Sequence, residues 1–371
     1  MVDHSLDILE QLKNQSADVD QIFSSRGLKK SSFCVMPFVN IILEPNGDVG
    51  FCRHKGTKFP YGNIRHQSLD EIWQSANVQK WRSEFLVGDV EVCKKEVIDV
   101  KCNQCPELNK LLPLAELDIQ NPKILRLTAN LNGKCNLQCQ MCDVWKMPNG
   151  FYTEENFWKP ARERFFKEIQ EIDLLSGEPF IQADTYKLID EITHVNPECL
   201  WTLTTNLHWK LTDKIKKQLD RIKIKNIILS IDSLDIAGYA KIRHLGDLNF
   251  VLNNVVELLR YQEERVKKGL GSLNLRLNCV VQKDNWHEVK TIINFCTERR
   301  IIPFLTFLYF PERFSLLTLD HEERKNILNF YFEHLSPTEM IFAQRVIRPL
   351  VRSLDKIDYV QYLDKMRESN L

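Results

Sequence analysis

The sequence predicts an α/β protein: a parallel sheet wound with helices from about residue 120, a small cysteine-bearing α+β segment before it, and helices after it. Three observations carry this reading. Strand-like and helix-like stretches alternate from Lys123 onward, which implies a parallel sheet with right-handed crossovers. Cys135, Cys139 and Cys142 follow the first of those strands in a Cys-x3-Cys-x2-Cys spacing. An earlier stretch reads as a hairpin with Cys34 before it and Cys52 at its end.

The bulk properties narrow the function classes. A chain of 371 residues with 43% hydrophobic and 10% aromatic content fills cores and is not a disordered protein. Lys plus Arg equals Asp plus Glu at 50 each, so no global charge draws it to nucleic acid or an anionic membrane. The opening Met-Val-Asp-His-Ser-Leu-Asp lacks the basic and apolar regions of a secretory signal. The longest apolar stretch, around Ile301 to Phe310, is too short to span a bilayer. Eleven cysteines in such a chain point to reduced, metal-binding thiols rather than disulfides. A soluble cytoplasmic protein is expected, with neither membrane nor nucleic acid as partner.

Residues 1–32 read as a helical extension and 33–115 as the cysteine-bearing segment. Phe38-Val39-Asn40-Ile41-Ile42-Leu43 is strand-like and Glu44-Pro45-Asn46-Gly47-Asp48 a turn, with Asn46 and Gly47 expected at positive φ. Val49-Gly50-Phe51 then carries Cys52 back toward Cys34, making half of a metal site. Cys102-Asn103-Gln104-Cys105 would supply the other half, and four thiolates suit zinc and iron–sulfur alike. Cys93, in a charged stretch, reads as a spare thiol.

Residues 120–310 hold the wound sheet. Lys123–Asn130 alternates as a half-buried strand does. A helix over 155–170, the strand 172–175, a helix over 182–196 and the strand 200–204 follow. A helix over 211–222, the strand 226–231 and a longer helix over 249–268 come next. The strand 273–281, a helix over 286–299 and the strand 303–309 complete the series. Residues 311–371 read as a helical extension with no metal motif.

The cysteine loop is the chemical signal. Three thiolates within eight residues leave a tetrahedral site one ligand short. A structural zinc site closes with four protein ligands and a cubane cluster normally takes four cysteines, so three imply a cluster with one iron held open. A zinc knuckle or three structural thiols are the ordinary alternatives.

Set after a strand, this loop resembles the signature of the radical S-adenosylmethionine (radical SAM) superfamily. Met141 stands where that family usually has an aromatic residue, and a polarisable apolar side chain fills a similar space. The resemblance implies a partial (β/α)6 barrel and a [4Fe–4S] cluster on Cys135, Cys139 and Cys142 that binds S-adenosylmethionine. Ser176-Gly177-Glu178-Pro179, ending the second strand, is similar to the family's Gly-Gly-Glu-Pro. Backbone groups there and the Glu178 carboxylate would receive the cofactor's ammonium. Relatives place counterparts of Asn206 near the cofactor and of Arg243 at its carboxylate, a task suited to a guanidinium fork. Ser230-Ile231-Asp232 is similar to a Ser-Ile-Asp run of SPASM-type enzymes, and Ser230 would bond a ribose hydroxyl. Asn278, His208 and Asp232 are weaker candidates, the last two for catalysis. A strand-end cap or an ion pair is the ordinary alternative for each.

The earlier segment is similar to the SPASM and twitch domains of the same superfamily. The likeness rests on Cys34-x12-Gly47-x4-Cys52, Pro37, Gly62-Asn63-Ile64, Ser68-Leu69-Asp70-Glu71-Ile72-Trp73 and the late Cys-x2-Cys. Here the module precedes the barrel instead of following it, and the cysteines of a second auxiliary cluster are missing. The resemblance therefore implies one auxiliary [4Fe–4S] cluster on Cys34, Cys52, Cys102 and Cys105. It also implies a reducing partner such as flavodoxin or ferredoxin, and hydrogen abstraction from a substrate carbon. The substrate expected first is a peptide or protein side chain. A sugar or other small molecule, or a non-catalytic zinc or iron–sulfur module, are the alternatives.

Overall fold

The computed structural model describes residues 33–52, 61–87 and 118–368; Cys93, Cys102 and Cys105 lie outside them. The described elements begin with α1 (Met36–Val39), β1 (Asn40–Leu43), β2 (Asp48–Gly50) and β3 (Gly62–Asn63). Then come α2 (Leu69–Trp73), α3 (Ala76–Val87), β4 (Arg126–Ala129), β5 (Gln138–Cys139), α4 (Glu155–Pro160) and β6 (Glu171–Leu174). They continue with α5 (Ala183–Val195), β7 (Leu200–Thr205), α6 (Asp213–Asp220), β8 (Lys223–Ser230), α7 (Ile236–Ile242) and β9 (Arg243–His244). Last are α8 (Leu248–Lys267), β10 (Leu275–Val281), α9 (Val289–Glu298), β11 (Ile302–Phe307), α10 (His321–His334), α11 (Pro337–Arg352) and α12 (Lys356–Glu368).

The chain divides into two compact units: Met1–Lys134, Lys146–Leu203 and Lys217–Ile224 in one, and Cys135–Trp145, Thr204–Lys216 and Lys225–Leu371 in the other. In the first unit the strand order is β7-β6-β4-β1-β2-β3. β7, β6, β4 and β1 run parallel to their neighbours, while β1–β2 and β2–β3 are antiparallel. Ile41 thus stands opposite Leu127, so the amino-terminal hairpin continues the sheet at the edge of β4. The turn differs from the expected one. Only Gly47 takes a positive φ, +87°, and the Gly47 N–H donates to the Glu44 carbonyl at 2.9 Å. That is a three-residue loop closing on a left-handed glycine rather than a two-residue Asn-Gly turn.

β4 is buried along its whole length, not on one face. Parallel strands are covered on both sides by helices, so the expected alternation of exposure is lost. Arg126 is tolerated there by its ion pair with Asp173 at 3.2 Å. The helix expected over 155–170 stops early: Pro160 ends α4, a wider turn covers Ala161–Phe165, and β6 begins at Glu171. Aromatic packing fills the amino-terminal part, with Phe51 and Trp81 in ring contact with each other and each with Tyr61 and Phe85.

In the second unit β8, β10 and β11 are parallel in that order, and β5 pairs antiparallel with β9 as a separate ribbon. Two capping boxes, Asp320 with Glu323 and Ser336 with Glu339, start α10 and α11. Asp358 of α12 meets His321 at 2.7 Å and Lys325 at 3.0 Å on α10, which docks the last helix. No described helix is long and apolar enough to cross a membrane.

Candidate functional site: a cysteine loop and two strand-end corners

The cysteine loop is shaped by its own backbone and by the β5–β9 ribbon. Cys139 stands opposite Arg243, Gln140 N–H donates to the Ile242 carbonyl at 2.9 Å, and Cys142 N–H donates to the Cys139 carbonyl at 3.1 Å. Gln140 adds a side-chain clasp, its amide donating to Gln282 at 2.9 Å and to Asp284 at 2.8 Å. Leu137, 1% exposed, is the loop's apolar anchor.

Polar hydrogens converge on the sulfurs. The Leu137 N–H and the Asn206 amide lie 3.4 and 3.6 Å from Cys135 Sγ, and an Arg243 Nη lies 3.9 Å from Cys139 Sγ. Such donors favour the thiolate, the form that ligates iron. Burial pushes the Cys139 thiol up to about 11, with Arg243 pulling the other way, so ligation must displace its proton. A single tetrahedral zinc would hold its thiolates about 3.8 Å apart, and the three cysteine sulfurs do not all stand that close here. Among the described residues the trio with all ligand atoms within 4.8 Å is His321, Asp355 and Asp358, not the three cysteines. A donor set of three spread thiols under N–H and guanidinium groups fits an iron–sulfur cluster. Cys199, Cys279 and Cys296 are core thiols by contrast, and burial pushes Cys199 and Cys296 up to about 12.

Arg243 is 5% exposed and pairs with Asp232 at 2.8 Å. The Asp232 carboxylate also accepts the Val280 N–H at 2.8 Å and is fully buried. Burial raises its pKa and Arg243 lowers it, which makes Asp232 the countercharge of the arginine beside the cluster loop rather than an accessible catalyst. Asn278 is likewise engaged, accepting from the Thr306 hydroxyl at 2.7 Å. Ser230 is half-buried at the end of β8.

The chain leaves β7 through a strained corner. Leu207 takes φ +60°, its N–H donates to the Thr205 hydroxyl at 3.1 Å, and Trp209 Nε1–H donates to the same hydroxyl at 2.7 Å. From α8, Asn254 donates to the Leu207 carbonyl at 2.7 Å and to the Trp209 carbonyl at 2.5 Å. His208, half-buried, is carried between them and reaches the cysteine loop through Asn136.

In the first unit, Ser176, Gly177 and Glu178 form the corner after β6. Gly177 has φ +59°, and a Cβ there would lie 2.3 Å from the Lys134 carbonyl oxygen. That oxygen also accepts the Glu178 N–H at 3.0 Å and the Gln182 amide at 2.8 Å, so the corner clasps the residue that immediately precedes Cys135. Glu178 is fully buried and caps the short turn after it by accepting from the Phe180 N–H at 3.2 Å. Ser176 is buried as well.

Of the auxiliary set, Cys34 and Cys52 are both buried. They adjoin Tyr61, whose phenol burial holds protonated, and Arg82 opposes that effect while the two thiols add to it. Sequence reasoning missed Asn136, Asn254, Gln140 and Asp284. The only local signal was the polarity of Asn136 and Gln140 within the cysteine motif.

A cysteine loop after a parallel strand, with N–H and guanidinium donors on its sulfurs, is the arrangement the radical SAM resemblance implies. Residues 34–106 match the SPASM family, an iron–sulfur cluster-binding domain. The chain therefore resembles radical SAM proteins, with an amino-terminal SPASM/twitch-like domain. GTP 3',8-cyclase of Aliarcobacter butzleri is 25% identical over 198 residues, which is 52% of this chain and 57% of that protein. GTP 3',8-cyclase of Clostridium botulinum (strain Hall) is 27% identical over 187 residues, 48% of this chain and 54% of the relative. The chain thus spans little more than half the length of these relatives. Among solved structures, Streptococcus suis SuiB bound to S-adenosylmethionine matches with a TM-score of 0.41 at 16% identity, covering 57% of this chain and 47% of that one. SuiB bound to precursor peptide SuiA matches with a TM-score of 0.42 at 14% identity, covering 80% and 69%.

Proposed function

We propose that the protein is a radical SAM enzyme that removes a hydrogen atom from a carbon of a small-molecule substrate. The observation that carries this is the cysteine loop itself: three spread thiols, with N–H groups on Cys135 and a buried guanidinium on Cys139. Cys135, Cys139 and Cys142 would hold the catalytic [4Fe–4S] cluster. When bound, that cluster and S-adenosylmethionine would supply one-electron reductive chemistry at the cofactor's sulfonium.

The chain's own residues do the rest. Gln140, clasped by Gln282 and Asp284, fixes the loop. Arg243 offsets the negative charge of the ligated thiolates, with Asp232 holding its fork in place. Ser176, Gly177 and Glu178 are proposed for the cofactor's amino group, and Asn206 and Ser230 for its remaining polar groups. Cys34, Cys52, Cys102 and Cys105 are proposed to close the auxiliary cluster, with Cys93 spare, and a flavodoxin or ferredoxin to supply the electron. GTP 3',8-cyclases act on a nucleotide by name, which favours the small-molecule alternative over the peptide expected first.

Anaerobic reconstitution tests the reading. About eight iron and eight sulfide per chain are expected for two cubane clusters. Dithionite-reduced protein should then convert S-adenosylmethionine to 5′-deoxyadenosine, and GTP is the first substrate to be offered. Stoichiometric zinc, or no 5′-deoxyadenosine from a fully loaded protein, refutes it.

A further inference from the structure

One backbone hydrogen fixes the polarity of a whole side-chain chain beside the cysteine loop. The His208 N–H can only donate, and it points at the Asn206 side chain at 2.8 Å, so the group facing it is the Asn206 carbonyl oxygen. The Asn206 amide nitrogen is then the end that faces Cys135 Sγ at 3.6 Å and Asn136 at 3.0 Å. Asn136 must accept there through its oxygen. Its own nitrogen is left facing the His208 carbonyl and, at 3.3 Å, the His208 ring atom Nδ1. A proton on Nδ1 would set donor against donor, so Nδ1 accepts and the ring proton resides on Nε2.

The corner is built to keep this arrangement. Leucine in a left-handed backbone costs about 1–2 kcal/mol. Leu207 nevertheless adopts it, held by Thr205 on one side and by Asn254 on two carbonyls on the other. Phe250 of α8 lies 5.0 Å from the imidazole, centroid to centroid, and limits its rotation. A backbone outlier that its surroundings over-determine is the usual mark of a functional position. Nε2 has no hydrogen-bond partner among the described residues, so the one unspent group of the network is an N–H donor.

We infer that His208 is locked as the neutral Nε2–H tautomer and presents that hydrogen to an acceptor oxygen of the cofactor or substrate. It is thus a positioning donor, not a base, and not a ligand to the open iron, because Nε2 carries the proton and Nδ1 is taken. This rests on the radical SAM reading only for what the donor meets; the tautomer itself does not.

The test uses 15N-histidine-labelled enzyme, reconstituted anaerobically. In 15N-detected spectra of the oxidised enzyme, one imidazole that disappears in His208→Gln should carry its proton on Nε2 and none on Nδ1. Asn136→Asp, which puts an acceptor where the amide donated, should move the proton to Nδ1. Hyperfine spectra of the dithionite-reduced cluster should show no directly bonded histidine nitrogen. A parent ring protonated on Nδ1, an unchanged ring in Asn136→Asp, or an iron-bound nitrogen lost in His208→Gln overturns the inference. A shift of the Nε2–H signal on adding S-adenosylmethionine assigns the acceptor to the cofactor, and a shift only when GTP follows assigns it to the substrate. No shift with either removes the donor role. Production of 5′-deoxyadenosine by the same samples scores the radical SAM reading separately.

Discussion

Two strand ends bend the chain through the same left-handed backbone angle with opposite residues. After β6 it is Gly177 at φ +59°, and after β7 it is Leu207 at φ +60°. The difference lies in what surrounds each Cα. A side chain at 177 would run into the Lys134 carbonyl at 2.3 Å, so glycine is the residue that fits. At 207 the side chain has a place and is 0% exposed. Burying a leucine returns about 1.5–3 kcal/mol against a strain of about 1–2. The backbone angle alone therefore does not choose the residue; the space beyond Cβ does.

The hardest test of that contrast is Gly177→Ala. Left-handed strain and overpacking against backbone add, so a loss of about 3 kcal/mol or more is expected. Relief of the clash by moving Lys134 would also displace the residue next to Cys135, so iron bound at the cysteine loop should fall with stability. Urea unfolding at the parent's midpoint, with full iron, would remove the steric argument.

Leu207→Gly is the mirror experiment. It releases the strain but empties a buried leucine site, a change that costs about 2–5 kcal/mol in cores. The net expectation is a destabilisation of about 2 kcal/mol, read as a lower urea midpoint. A more stable variant would mean that strain, not burial, governs this corner.

Asn254→Ala tests how the corner is held rather than what fills it. Two carbonyls lose their donor, and solvent can reach part of the site, so about 1–2 kcal/mol is expected. Hydrogen exchange at residues 205–209 should accelerate while the β6 corner keeps its protection. Equal acceleration at both would show that they do not behave independently.

The same contrast explains what could be read in the sequence. Gly177 was legible because steric exclusion leaves one residue type, and with Glu178 and Pro179 it made a motif. Cys135, Cys139 and Cys142 were legible because the loop is local. The strand series was legible by alternation of types, although β4 hid its burial: an arginine that finds Asp173 reads as exposed. Leu207 gave no sign, since an apolar residue after a strand is what any core supplies. Asn254 gave none either, and the polarity of Asn136 did not reveal its partner, because those partners lie 47 and 72 residues away. The pairing of Arg243 with Cys139 depends on the β5–β9 ribbon, a contact between two-residue strands that leaves no period to detect. Continuation of the sheet from β4 into β1 was hidden in the same way, since the hairpin's apolar strand fits a free-standing module equally well.

The smallest effect comes from a third left-handed residue, where neither exclusion nor burial applies. Arg300 follows α9 with φ +56° and is exposed. Its N–H donates to the Thr297 carbonyl at 3.2 Å, and the Ile301 N–H donates to the Cys296 carbonyl at 2.9 Å, the paired bonds that close a helix on a left-handed residue. Gly269 fills the equivalent position after α8, with φ +74°. An exposed arginine gains no burial to offset its strain. Arg300→Gly should therefore stabilise the protein by about 0.5–1 kcal/mol, the left-handed penalty less glycine's extra unfolded-state freedom. The three substitutions then order themselves by environment at nearly constant φ: alanine forbidden at 177, glycine harmful at 207, glycine helpful at 300. A lower urea midpoint for Arg300→Gly would break that order. It would place the deciding term in the unfolded chain rather than in the space around Cβ.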